Sequence, residues 1–103
     1  MSMQIKKTKT PQILIYHTHA ASERFANSRA NKDEDSIVGV GEELAQILTR
    51  KYGYHVIHDE TKYDMVKGSI DRNKAYNQSG DGVKRLLQKY PDIHVIIDLH
   101  RDG

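Results

Sequence analysis

Cysteine is absent from this chain of 103 residues, and so is any long hydrophobic run. Without cysteine the chain forms no disulfide bond and no thiolate zinc site. No apolar stretch reaches the ~20 residues that a membrane-spanning helix needs. The basic start MSMQIKKTK is not followed by the apolar region of a signal peptide.

The chain also lacks a large excess of charge of either sign. Its 16 Lys and Arg nearly balance its 14 Asp and Glu, which gives a net charge of +2. Nucleic-acid-binding domains usually carry a strongly basic face, so we expect no nucleic-acid partner. A chain of this length forms one domain at most. We expect a flexible segment over residues 1–10 and a single α/β domain over residues 11–103.

Strand and helix patterns alternate along the chain. Continuous apolar runs predict strands at residues 12–18, in YHVIHDE and in DIHVIIDLH. Helical spacing predicts one helix over 37–52, capped by Ser36 or Asp35, and a second one that begins at Ser79 or Asp81 and ends before Pro91. Residues 60–78 are predicted as a loop with a short helical turn. This order predicts a three-layer α/β/α fold with a mainly parallel sheet of strand order 2-1-3.

Two histidines follow strands that this order makes neighbours. His19 comes just after the first strand, and His100 ends the third. The carboxyl ends of such strands form the usual ligand crevice of open α/β sheets. Two imidazoles and one carboxylate make a zinc site with an open fourth position, and Glu23 and Glu34 are both available as the acid. Alternatively, both histidines are ordinary hydrogen-bonded surface residues.

The other histidines are interpreted as structural. His17 is a strand residue that needs one polar partner, and His55, His58 and His94 lie in or beside strands. Asp98 is a candidate to orient an imidazole, since it lies two residues before His100.

Several motifs resemble one known family over nearly the whole chain. ILIYHTHAASE, VGVGEELAQIL, VIHDET, AYNQSGDGVKRLL and HVIIDLHRDG are similar to segments of the stage II sporulation protein P family. The resemblance implies the fold of zinc-dependent N-acetylmuramoyl-L-alanine amidases. It also implies cleavage of that amide bond in peptidoglycan, and of cross-linked stem peptides, during spore engulfment. The implied protein is membrane-anchored and extracytoplasmic, and this chain is a soluble fragment of it. Its implied partners are peptidoglycan and stage II sporulation protein D.

The motifs YHTH and DLHRD imply that His19 and His100 bind Zn²⁺. The family usually has the third ligand, a glutamate, three residues after the first histidine. Here Ser22 occupies that position and Glu23 follows it, so we favour Glu23 over Glu34. Ser79–Gly80 replaces the usual Ser-Arg.

Family catalytic domains continue beyond the DLHRD motif and include a glutamate that acts as general base. No residue of this chain matches that glutamate, so we interpret the chain as a truncated catalytic domain. Arg101 either holds the reaction oxyanion or a peptide carboxylate, or forms an ion pair with Asp102. An open edge on the third strand favours pairing, and we expect a homo-oligomer through that edge.

Two other functions compete with a hydrolase. One is a catalytically incomplete wall-binding or assembly module of the same fold. The other is a flavodoxin-like signalling domain, which would need a glycine-rich phosphate loop or an acidic phospho-acceptor pocket after the first strand. The stretch HTHAASE supplies neither of these.

Overall fold

A computed structural model of the chain describes residues 9–21 and 36–100. Five strands and two helices follow one another along this part of the chain. In order they are β1 (Ile13–Tyr16), α1 (Ile37–Arg50), β2 (Val56–His58), β3 (Met65–Val66), β4 (Ser69–Ile70), α2 (Arg72–Lys89) and β5 (Val95–Asp98). The flexible segment predicted at the amino terminus falls mostly on residues outside the described ranges.

Three of the strands form a parallel sheet in the order β2-β1-β5. Ile13 pairs with Val56 on one side and with Val95 on the other, and Tyr16 pairs with Asp98. The mixed α/β class and the predicted strand order 2-1-3 are therefore confirmed. Parallel pairing brings the carboxyl ends of β1, β2 and β5 to one edge of the sheet.

The central strand β1 is buried on both faces. Ile13 and Ile15 point to one face, where they pack with Ala45 of α1, and Leu14 points to the opposite face and is fully buried. A strand covered on both sides buries every residue, which explains its unbroken apolar run. Such a strand is a rigid support for the residues that follow it.

Helix α1 begins where its cap predicts. The Ser36 hydroxyl accepts a hydrogen bond from the Val38 N–H at 3.2 Å, which satisfies one free donor of the first turn. The helix ends at Arg50, two residues before the predicted end. Gly53 then adopts a positive φ of 73° and donates its N–H to the Thr49 carbonyl.

Helix α2 begins earlier than the sequence pattern predicted. The cap is Asp71, whose Oδ1 accepts from the N–H groups of Asn73 and Lys74 at 3.0 and 3.2 Å. Ser79 and Asp81, the predicted caps, lie inside the helix. The prediction was wrong because Ser79 and Gly82 serve packing inside the helix: Ser79 is buried, and Gly82 lies directly against the Tyr63 ring.

A short hairpin occupies the stretch that was predicted as a loop. β3 and β4 are antiparallel and are joined by Lys67 and Gly68, whose φ values are 51° and 83°. Two consecutive positive φ angles characterise the type I′ turn that matches the twist of a two-residue hairpin. This hairpin leads directly into the Asp71 cap of α2.

Candidate metal centre at the carboxyl edge of the sheet

The pairing of β1 with β5 brings both predicted histidine ligands to the same edge of the sheet. Tyr16 and Asp98 are partners in the register, and the Leu99 N–H continues the ladder to the Tyr16 carbonyl at 2.9 Å. His19 follows β1 by three residues and His100 follows β5 by two. The predicted ligands therefore leave neighbouring strands at the same end.

His19 is buried, and one of its ring nitrogens has no hydrogen-bond partner among residues 9–21 and 36–100. His19 is only 8% exposed, and its Nδ1 makes no hydrogen bond within the described part of the chain. The Tyr76 ring covers it edge-on, with the two ring centroids 5.2 Å apart. An unsatisfied buried nitrogen costs roughly 1–3 kcal/mol, so a structure keeps one where another partner compensates. A metal ion is such a partner for an imidazole nitrogen.

His100 is exposed and its ring is oriented by the backbone. Its Nδ1 lies 3.1 Å from the Asp98 carbonyl oxygen, which can only accept, so Nδ1 carries the proton. The lone pair of the ring is then on Nε2. Metal-binding histidines usually donate their second N–H to a carbonyl or carboxylate in this way. His19 and His100 thus both fit the role of metal ligands.

Asp98 stabilises the segment that carries His19. Its carboxylate accepts the Thr18 N–H at 3.1 Å and the Thr18 hydroxyl at 2.8 Å, and the same hydroxyl lies 3.4 Å from the Ser79 Oγ. The contact of Asp98 to His100 comes from its backbone carbonyl. Asp98 therefore connects both histidine segments, one through each of its polar groups.

Three other predicted site residues, Glu23, Glu34 and Arg101, lie outside the described residues. The choice between the two glutamates and the role of the arginine therefore stay predictions.

A second histidine pair lies beside this edge, and the sequence had not predicted it. His17 is fully buried and contacts the Leu99 carbonyl through Nδ1 and His58 through Nε2, each at 2.8 Å. His58 in turn places Nδ1 2.8 Å from the Glu42 carboxylate. Burial lowers the pKa of His17, and the hydrogen bond to His58 lowers the pKa of Glu42.

The signal for this pair was a glycine inside a helix. A Cβ on Gly41 of α1 would lie 2.6 Å from the His58 Nε2 and 2.8 Å from the His17 ring. Glycine is unfavourable in a helix interior, and at Gly41 the close approach of two imidazoles accounts for its presence. The stretch VGVGEEL could have indicated a close approach at Gly41, but it could not identify the residues that approach.

Glu60 forms a group with His58 and Glu42. One potential ligand atom each of Glu42, His58 and Glu60 lies within 4.8 Å of the others, at the carboxyl end of β2. The described part of the chain thus contains an imidazole with two carboxylates in a geometry that could hold a metal ion.

Comparison with protein families decides the assignment of the chain. The family model described as stage II sporulation protein P matches residues 2–103. The chain belongs to the stage II sporulation protein P family. Comparisons with curated proteins and with solved structures gave no match.

Membership in the stage II sporulation protein P family confirms the resemblance of the sequence motifs. It connects the chain with sporulation and supports a function at the cell wall. Within residues 9–21 and 36–100, neither helix is both long and apolar enough to cross a bilayer.

Proposed function

We propose that this chain is a zinc-dependent peptidoglycan hydrolase domain that cleaves the N-acetylmuramoyl-L-alanine amide bond during spore engulfment. Cleavage of stem-peptide cross-links by the same centre is part of the proposal. The observation that carries it is the pair of histidines at the carboxyl edge of β1 and β5. Among the described residues, one of them has a buried nitrogen without a hydrogen-bond partner, and the other has its Nδ1–H held by a carbonyl.

In this proposal the metal ligands are His19, His100 and Glu23, with Glu34 as the other candidate acid. When bound, zinc would supply an activated water and a Lewis acid for the amide carbonyl. Arg101 is proposed to hold the oxyanion or a peptide carboxylate, since it follows His100 directly.

The remaining contacts keep the histidines in position. The carboxylate of Asp98 holds Thr18, so the segment after β1 cannot move away from β5 without breaking two hydrogen bonds. The Tyr76 ring packs edge-on against the His19 ring. Positioning of this kind is what a hydrolytic site requires, because small displacements of ligands reduce the rate strongly.

Zinc binding and turnover test the proposal together. Protein purified without a histidine tag is loaded with zinc and incubated with purified sacculi, and newly exposed amino termini and released peptides are measured by mass spectrometry. We expect His19→Ala and His100→Ala each to lose the one equivalent of zinc held at this edge, together with the release of peptides. The matched control is His94→Ala, an exposed histidine just before β5, which should change neither.

The proposal fails if His19→Ala and His100→Ala retain the zinc content and activity of the unmodified chain. If the zinc-loaded protein sediments with sacculi but releases no peptide, the chain is a wall-binding or assembly module of the same fold. An extracytoplasmic location and a partnership with stage II sporulation protein D are further parts of the proposal that follow from the family. Self-association through the β5 edge is a further part that follows from the open edge of that strand. Pull-down tests the partnership, and light scattering tests the self-association.

A further inference from the structure

The group formed by Glu42, His58 and Glu60 connects helix α1 with the end of β2. The His58 side chain is only 5% exposed, whereas that of Glu42 is 48% exposed and Glu60 lies at the surface. A groove of about 300 Å³ opens beside Glu42 and His58. The imidazole is therefore held from the inside, and the two carboxylates face it from the solvent side.

The hydrogen-bond chain behind His58 lacks one proton. Three contacts follow one another: Leu99 carbonyl to His17, His17 to His58, and His58 to Glu42, each at 2.8 Å. Both ends are acceptors, so each contact needs its own proton. Two neutral imidazoles carry only two protons. One positive charge must therefore be added, either as a third proton or as a cation.

The second carboxylate distinguishes these two cases. A third proton would turn the histidine pair into one cation, for which Glu42 alone is a sufficient partner. Glu60 brings a further negative charge within 4.8 Å of the other two ligand atoms. Two carboxylates that share a site repel each other unless a cation lies between them. The group therefore matches a doubly charged ion better than a single proton.

We propose that Glu42, His58 and Glu60 bind a divalent transition-metal ion of the zinc class, at a site separate from His19 and His100. Imidazole and carboxylate ligands suit such an ion. Ligand atoms of a tetrahedral zinc ion lie about 3.3 Å apart for bond lengths of about 2.0–2.2 Å. Both carboxylates are exposed, so rotation of their side chains would bring the ligand atoms to this spacing.

The residues behind His58 complete the site. With a metal on Nδ1, His58 keeps its proton on Nε2 and donates it to His17, which donates its own Nδ1–H to the Leu99 carbonyl. All three contacts are then satisfied with two protons. This is the usual support for a metal-binding histidine, whose second nitrogen donates to a fixed acceptor. The ion would tie α1 to β2 and stabilise the strand ends next to the edge that carries His19.

Zinc titration by calorimetry on the metal-free chain tests this site. The double variant with His19→Ala and His100→Ala removes the ligands of the proposed hydrolytic centre. We expect it to bind one equivalent of zinc still. Adding Glu42→Gln or Glu60→Gln to the double variant should weaken the affinity for this remaining zinc ion by at least about tenfold, since each substitution removes a charged ligand. The matched control is Glu43→Gln, the neighbouring exposed acid on α1, which should leave it unchanged.

An NMR experiment supplies a second readout in chains that keep His19 and His100. Long-range proton–nitrogen correlation distinguishes a metal-bound Nδ1 of His58 from a protonated one. We expect the chain with Glu60→Gln to need at least about tenfold more zinc than the chain with Glu43→Gln for the same change at this nitrogen. Both variants alter exposed side chains, so folding is not at risk.

The site is refuted if the double variant binds no zinc, or if Glu42→Gln and Glu60→Gln bind it as tightly as the control. A third proton then accounts for the hydrogen-bond chain. The two proposals fail separately. Retention of full zinc content by His19→Ala would refute the hydrolytic centre, and retention by Glu60→Gln would refute this second site.

Discussion

His17 and His58 contact each other through their Nε2 atoms at 2.8 Å, from the ends of the neighbouring parallel strands β1 and β2. Their ring planes cross at 70° with centroids 5.0 Å apart, an edge arrangement that is compatible with a hydrogen bond between the two nitrogens. Both rings approach the backbone of α1 at Gly41. The sheet and the helix are therefore joined here by polar groups rather than by apolar packing.

Substitution of Gly41 tests how tightly this junction is packed. We expect Gly41→Ala to lower stability by about 1–3 kcal/mol, since the new methyl group would displace both imidazoles and overpacking costs that much. Urea unfolding measures the effect. Gly80→Ala in α2 is the matched control, because a Cβ there meets nothing within 4 Å. It should raise stability by about 0.5–1 kcal/mol through helix propensity alone. Equal shifts in the two variants would contradict the close approach at Gly41.

The hydroxyl of Thr18 is expected to stabilise the metal edge. Thr18→Val keeps the shape of the side chain but leaves the Asp98 carboxylate without its hydroxyl donor. Loss of a hydrogen bond to a charged group should cost about 1.5–3 kcal/mol of unfolding free energy. Thr18→Ser keeps the hydroxyl and should retain most of the stability. Thermal unfolding of both variants decides the point, and a serine variant as unstable as the valine variant would show that packing of the methyl group matters instead.

Helix α2 begins at Asp71, and a pair of substitutions checks this start. Asp71→Ala removes the acceptor of two N–H groups and should cost about 1 kcal/mol. Asp81→Ala changes an exposed position inside the helix and should stay within about 0.5 kcal/mol of the unmodified chain. Urea midpoints give both values. If Asp81→Ala proves the more damaging change, the helix starts where the sequence pattern had predicted.

Tyr63 should make the fold sensitive to alkaline pH. Burial, followed by the hydrogen bond to Asp59, raises the pKa of Tyr63 to about 12 from the ordinary 10.0. Between these values the unfolded chain loses the phenolic proton while the folded chain keeps it. Stability should therefore fall as pH rises from about 10 to about 12. Ultraviolet titration measures the ionisation of the tyrosines over this pH range, and urea unfolding measures the stability.

The variant Tyr63→Phe isolates this contribution. It removes the titrating group, so the part of the alkaline loss that is due to Tyr63 should disappear. Tyr52→Phe is the control, since Tyr52 is 48% exposed. An alkaline stability profile that is the same for Tyr63→Phe as for the unmodified chain would rule out Tyr63 as its source.

Local patterns were sufficient for the architecture. The continuous apolar run of β1, the Ser36 cap and the spacing of apolar residues in α1 each depend on contacts within a few residues or on simple burial. Alternation of strands and helices then limits the topology to few choices, and the order with β1 in the centre was predicted correctly. The same reasoning predicted that His19 and His100 follow neighbouring strands at one edge of the sheet.

Local patterns could not identify which distant groups meet. Ser79 has the composition of a cap, and only the packing of α2 against Thr18 shows that it is a buried helix residue. From the sequence, His17 and His58 are indistinguishable from ordinary strand residues. The register of β1 with β2, and the space left by the missing side chain of Gly41, place them in contact. The amino-acid sequence by itself therefore determined the elements, their order and the histidines at the strand ends, because these depend on local periodicity and chain direction. Tertiary structure alone decided the hydrogen-bond partners, since those contacts join residues tens of positions apart whose distances depend on how helices and strands pack.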